Sequence, residues 1–283
     1  MAFAALIDGG RRLHLQHGPI DLLISAEGPG DARVAAFRAA TVRFDGLLGE
    51  LVAELPLLRA PVTAGSRVPT GPVARRMHAA CLPHGLHDFI TPMAAVAGAV
   101  ADEIADAMRA SADLTRLVVN NGGDIAFDAA PGQQMQALIA TPEGRVLGQV
   151  SLPGGGPVRG MATSGRGGRS FSLGIADSVT VLAETAAMAD AAATMIGNAV
   201  DLPGHPAIRR TPAQDLAPDS DLGARLVVTG LGALNATETA TALERGLDRA
   251  QHLQRGGLIV AAALYLGADH RVTGGWPGQL GRS

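Results

Sequence analysis

Asp190 and Thr194 are the pair whose types and spacing point most directly to chemistry. They lie in an alanine-rich stretch with no Gly or Pro between Ala183 and Ile196, which predicts a helix. Side chains four apart share one helix face, so a carboxylate and a hydroxyl converge there. Two hard oxygens at one point suit a hard cation such as Mg²⁺. The same spacing also fits a surface Asp beside a half-buried Thr.

Three other segments carry candidate ligands. Asn121-Gly122-Gly123-Asp124 follows a predicted strand. Its glycines permit positive φ and expose backbone N–H groups, which can form an anion nest, while Asp124 suits a ribose hydroxyl or a ring nitrogen. An ordinary Asn-Gly hairpin turn explains the same residues. Thr163-Ser164-Gly165-Arg166-Gly167-Gly168-Arg169 combines hydroxyls, glycines and two guanidiniums. Arg166 and Arg169 can fork onto a phosphate that the glycines let approach; a solvated basic turn is the alternative. No Gly-Lys-[Ser/Thr] is present, so this is not a Walker A loop. Asp177 is either a further acid near the metal or an acceptor of a turn N–H. His84 and His87 stand three apart before Pro92, and His87 is the candidate general base. Every one of the 23 basic residues is Arg, which excludes Schiff-base chemistry on lysine.

The elements that must position these residues follow from periodicity. Leu13 to Ile24 reads as a strand pair around Gly18-Pro19. Asp31 to Leu55 reads as one helix stopped by Pro56, with Val34, Phe37, Thr41, Phe44, Leu48 and Leu51 recurring at threes and fours. A short helix is predicted over Val73 to Cys81, an irregular stretch over Leu82 to Thr91, and a long helix over Pro92 to Ser111 whose first turns are nearly all small. Small residues there serve helix packing or close approach of a ligand. Strands are expected at Leu117 to Val119, Asp124 to Phe127, Val158 to Thr163, Ser178 to Ala183, Arg225 to Val228 and Leu258 to Leu266. A hairpin is expected over Met135 to Leu152, turning at Pro142-Glu143-Gly144. Leu202 to Asp221 reads as a proline-rich connection, and Thr237 to Arg255 as a helix. Helices and strands do not alternate regularly, so the expected class is α+β.

The 283 residues suffice for one large domain or two small ones. With 47% hydrophobic and 3% aromatic residues, the core must be aliphatic and alanine-rich. A net charge of −3 argues against a nucleic-acid footprint. The one cysteine, Cys81, excludes an intrachain disulfide and a thiolate cluster and reads as core filler. Met1 to Ile7 lacks a basic leader, and the longest uncharged apolar runs are too short for a bilayer. The expectation is a cytoplasmic protein that spans no membrane.

Asn120-Asn121-Gly122-Gly123-Asp124-Ile125, Ala162-Thr163-Ser164-Gly165 and Ala189 to Ile196 occur in the order of the "GGDI", "ATSG" and "ADALSTAL" segments of the ApbE-like superfamily, the FAD:protein FMN transferases. The chain resembles that superfamily over roughly Pro92 to Val200. It looks closest to an uncharacterised branch carrying "ITPMAAVAGAVAD" and "SFSLGIADSVTVLA". The resemblance implies an α+β fold of ApbE-like type, a single domain over 1–283 with a variable segment over 202–283, and a Mg²⁺ site. Asp190 and Thr194 fall on that site's ligands, and Ala95 falls where a backbone carbonyl completes it. The resemblance also implies FAD or a related flavin nucleotide, held by Asn121, Gly122, Gly123, Asp124, Thr163, Ser164, Gly165, Arg166 and Arg169. The implied activity is cleavage or transfer of a nucleotidyl group. The alternatives are a non-catalytic flavin or nucleotide binder, or an enzyme acting on a pterin-like heterocycle. A small-molecule nucleotide is the expected partner, with a homodimer as the assembly. Two departures bear on activity: the transferases' "HIIDPRTG" segment is missing, and Gly98 stands where they carry Lys. Protein flavinylation is therefore not expected.

Overall fold

The computed structural model describes residues 2–140, 145–168 and 170–280. In chain order its elements are β1 (Phe3–Ile7), β2 (Arg12–His17), β3 (Ile20–Glu27), α1 (Ala32–Phe44), α2 (Leu47–Ala53), α3 (Leu55–Leu58), α4 (Pro72–Gly85), α5 (Val96–Ser111), β4 (Arg116–Asn121), β5 (Asp124–Ala129), β6 (Gln134–Ala140) and β7 (Val146–Pro153). They continue with β8 (Gly160–Ser164), β9 (Ser178–Ala183), α6 (Ala186–Ala199), β10 (Ile208–Pro212), α7 (Ala213–Leu216), β11 (Leu226–Leu231), α8 (Ala236–Arg255), β12 (Ala261–Leu266), β13 (Asp269–Val272) and β14 (Gly278–Leu280). A 3₁₀ turn, Pro92–Ala95, leads into α5. The class is α+β, as expected, with helices beside antiparallel strands. Among the described residues no helix is long and apolar enough to cross a membrane.

Two compact units emerge. The first takes the chain up to Gln136 with Ser151–Ala162 and Ala183–Asp190. Its strands follow the order β1-β2-β3-β4-β5-β8, with antiparallel registers such as Leu22↔Asn121 and Asn121↔Asp124. In β3 the apolar Ile20, Leu22, Ile24 and Ala26 are buried while the residues between them face outward, the period-two pattern of a sheet covered on one side. α5 packs on β4 and β5 and against α1 and α4. Its Ala99, Val100, Ile104, Ala105 and Met108 are buried. The second unit takes Ala137–Val150, Thr163–Leu182 and the chain from Ala191 onward. There β9 pairs with β12, and every residue of both strands is buried. α8 packs on β12 and β13.

Several local expectations need correction. The helix read over Asp31 to Leu55 is two helices, α1 and α2, broken at Gly46 with φ 82°, and Pro56 occupies the first turn of a third, α3, which starts at Leu55. A proline's missing N–H costs nothing in a first turn, so the residue starts a helix as readily as it ends one. α4 extends to Gly85, four residues into the stretch read as irregular, and carries Pro83 inside it, because Met77, Cys81 and His84 continue its buried face; residues 86–91 are irregular as expected. The Leu202 to Asp221 connection contains strand β10, paired with β11. The N-terminal apolar patch is strand β1. The turn read at Pro142-Glu143-Gly144 lies outside the described residues.

Candidate functional site

The first unit gathers carboxylates where the N-termini of two helices meet. Asp190, one turn into α6, accepts the Gly98 N–H on Oδ2 at 3.0 Å. Withdrawal from water pushes the Asp190 carboxyl well above the ordinary carboxylate range, and the nearby charges of Asp124 and Asp102 push the same way. The Gly98 and Ala97 amides oppose that rise. Asp124 opens β5, so the Gly-Gly hairpin delivers the second carboxylate to the end of α5.

Asp102 lies one turn after Gly98 in α5 and is buried. Its two oxygens accept the Ala186 and Ala187 N–H groups at 3.0 and 2.9 Å. Burial raises its carboxyl to about 6 against the pull of those amides. The Thr185 hydroxyl takes the Met188 N–H at 3.2 Å, so first-turn donors of α6 find oxygen partners.

The helices approach this closely because Gly98 has no side chain. A Cβ there would stand 2.3 Å from the Ala186 carbonyl oxygen and 2.7 Å from the Ala187 nitrogen. At Gly98, then, the small residue of early α5 serves helix packing.

The Asn121 to Asp124 segment forms the two-residue hairpin turn between β4 and β5, with Gly122 at φ 65° and Gly123 at φ 111°. Both glycines hold positive φ, which side chains resist. The Gly123 N–H is taken by the Asn120 Oδ1 at 2.8 Å. The buried Asn121 donates through Nδ2 to the Ala97 carbonyl at 3.1 Å and so ties the turn to α5. Ala95 is fully buried where the 3₁₀ turn gives way to α5, at φ −126° and ψ 15°. Thr194 is half-buried, one turn beyond Asp190 on α6.

Cys81 is buried in α4. Its thiol donates to the Thr91 carbonyl at 3.4 Å, and burial together with the charge of Asp190 pushes its pKa well up, which suits a packing role and not a nucleophile. His84 is buried inside α4, while His87 stands exposed beyond its end and carries no side-chain hydrogen bond among the described residues.

In the second unit the Thr163 and Thr180 hydroxyls are hydrogen-bonded at 2.9 Å. Ser164 ends β8, and Gly165 lies so close to Asp177 that a Cβ would meet its carbonyl oxygen at 2.5 Å. Arg166 forms an ion pair with Asp177 at 2.5 Å. The other Asp177 oxygen accepts the Gly267 N–H at 2.6 Å. The Asp177 N–H itself donates to the Tyr265 carbonyl at 3.0 Å. Two residues read separately as catalytic acid and phosphate ligand are therefore joined to each other. Arg169 lies outside the described residues.

Sequence reasoning missed Asp102 and did not anticipate that the charge of Asp124 acts on Asp190. The available signal for Asp102 was its place one turn after Gly98 and beside the apolar Ala101 and Ala105 of the helix. Among the described residues no three of His, Cys, Asp and Glu converge as a metal-ligand set. Two carboxylates supplemented by carbonyl, hydroxyl and phosphate oxygens do fit Mg²⁺, which keeps several waters and uses few protein ligands.

A sequence model for a family described as "AbpE bacteria" matches residues 4–275. A UPF0280 protein of Methanopyrus kandleri is 38% identical over 126 residues, 44% of this chain and 48% of that protein. A UPF0280 protein of Methanothrix thermoacetophila is 40% identical over 131 residues, 46% of this chain and 52% of that protein. The chain thus spans about half the length of the curated relatives it matches. The apo crystal structure of the Pseudomonas stutzeri flavinyl transferase ApbE aligns at a TM-score of 0.46 with 14% identity, covering 96% of this chain and 93% of that one.

Proposed function

Because this chain belongs to the family described as AbpE bacteria, we propose that it binds a flavin dinucleotide such as FAD with Mg²⁺ and acts on its pyrophosphate. The observation that carries this reading is the juxtaposition of Asp190 and Asp124, two carboxylates whose like charges repel inside protein. A divalent cation relieves that repulsion. The choice of a flavin rests on the order of the motifs around Asp124, Thr163 and Asp190 along the sequence, which resembles that of the ApbE-like transferases. Asp190 and Asp124 would hold the ion, with the Ala95 carbonyl and the Thr194 hydroxyl as further oxygens. Bound Mg²⁺ supplies charge neutralisation at pyrophosphate oxygens. The hairpin at Gly122 and Gly123 gives a phosphate room to approach backbone. Arg166 reaches a phosphate only by exchanging its bond to Asp177.

That exchange favours a second reading, a binder that does no chemistry. Asp177 is already engaged by Arg166 and Gly267, and His87 is exposed at a helix end. Calorimetry with FAD, with and without Mg²⁺, combined with chromatography of the nucleotides formed, separates the two. The proposed function gives Mg²⁺-dependent binding and release of mononucleotides. Binding without turnover selects the second reading, and binding indifferent to Mg²⁺ overturns both forms of the metal assignment.

A further inference from the structure

α5 and α6 cap each other by the same device. The Asp102 carboxylate of α5 accepts the first N–H groups of α6, at Ala186 and Ala187. The Asp190 carboxylate of α6 accepts the Gly98 N–H in the first turn of α5. The spacing is matched: Asp102 lies four residues after Gly98, and Asp190 four after Ala186. Each acid therefore stands one turn inside its own helix and closes the start of the other. The Cβ-free Gly98 lets the two turns come into backbone contact.

Two carboxylates crossing between two helix ends are mutually dependent. If one lets go, the helix start it holds can shift, and the other acid is carried by that same helix one turn further on. We propose that Asp102 is a positioning residue that fixes the Asp190 carboxylate by anchoring the N-terminus of α6, and thereby sets the geometry of the cation site. Its link to the cation rests on the proposed function; its link to Asp190 rests on the hydrogen bonds alone. Charge-assisted bonds to helix-terminal amides are among the stronger polar contacts, so the clamp is firm enough to transmit a change.

The test is Asp102→Asn, which keeps one carbonyl oxygen for one of the two amides and removes the charge. Amide hydrogen exchange is followed at Gly98, whose N–H is bonded by the Asp190 carboxylate and not by the Asp102 side chain. A working clamp gives about ten-fold faster exchange there, the equivalent of roughly 1.4 kcal/mol. Mg²⁺ affinity, titrated in the presence of FAD, falls by a comparable factor. Asp190→Asn, studied without metal, provides the reciprocal arm: exchange at Ala186 and Ala187 quickens although their own acceptor is intact. That arm carries the test if Asp102→Asn does not fold. A lowered melting temperature with unchanged exchange across the clamp in both variants overturns the proposal. Exchange that responds in a protein showing no Mg²⁺ binding upholds the clamp and removes the metal reading instead.

Discussion

A single carboxylate decides the metal assignment. Asp190→Asn keeps an oxygen for the Gly98 N–H but removes the charge that a hard cation needs. Mg²⁺-dependent FAD binding should fall by at least about ten-fold while the apo melting temperature changes little, because relief of repulsion from Asp124 offsets the weaker bond. Undiminished binding in calorimetry rules Asp190 out as a ligand. Asp102 gives a prediction in pH. Its carboxyl titrates at about 6 in the fold against 3.8 for the ordinary group, so the folded chain takes up the proton first. Ionised Asp102 therefore costs stability, up to about 3 kcal/mol, that is regained as pH falls from about 6 towards 4. Other carboxylates titrate as well, so the quantity to measure is the urea-unfolding difference between wild type and Asp102→Asn. Between pH 7.5 and 4.5 it should move in favour of the wild type; movement the other way contradicts the assignment.

Elements matter here chiefly through their ends. The starts of α5 and α6 come into backbone contact, and Gly98 is the residue that permits it. Gly98→Ala ought to gain helix propensity and yet lose about 3 kcal/mol, because the new methyl meets backbone atoms that cannot rotate away. Thermal unfolding of that variant reads the sign directly: a stabilised protein means the two turns are not in contact. α8, in the second unit, offers a control in a helix that carries none of these carboxylates. Asn235 and Glu238 form a reciprocal capping box at its start, with bonds of 2.9 and 2.8 Å. Asn235→Ala should cost about 1 kcal/mol and leave FAD binding untouched.

At the scale of the whole molecule, the question is whether the chain modifies another protein. The "HIIDPRTG" segment is absent, no lysine occurs, and the Asp177 and Arg166 side chains are spent on each other. General acid–base groups contribute about 10²–10⁴-fold to a rate, so their loss should be plain in an assay. Incubation with FAD, Mg²⁺ and a threonine-bearing acceptor should give no fluorescent flavinylated band on a gel at a transferase's pace. Robust labelling contradicts this and returns catalytic standing to residues that the fold holds in ion pairs.

The sequence by itself determined the α+β class, the strands on either side of Gly122-Gly123, strand β9 and the helix carrying Asp190. Each of these follows from local periodicity or from the backbone freedom of glycine, which neighbouring residues alone express. It also bounded the chemistry, since a chain without lysine and with one cysteine has few nucleophiles to offer. Helix breaks were harder to read: Gly46, Pro56 and Pro83 act according to where they fall in a turn, and that depends on which face is buried. The site's inner organisation was invisible for a stronger reason. Asp102 and Ala186 are 84 residues apart, and Gly98 and Asp190 are 92 apart. Asp124 nears Asp190 only once β5 is seated beside α5. Hydrogen bonds and charge repulsion act over a few ångströms of space, whereas sequence spacing registers them only within a turn or a strand pair. The tertiary structure alone decided that Asp190 shares its place with Asp124, that Asp102 anchors its helix, and that Arg166 faces Asp177.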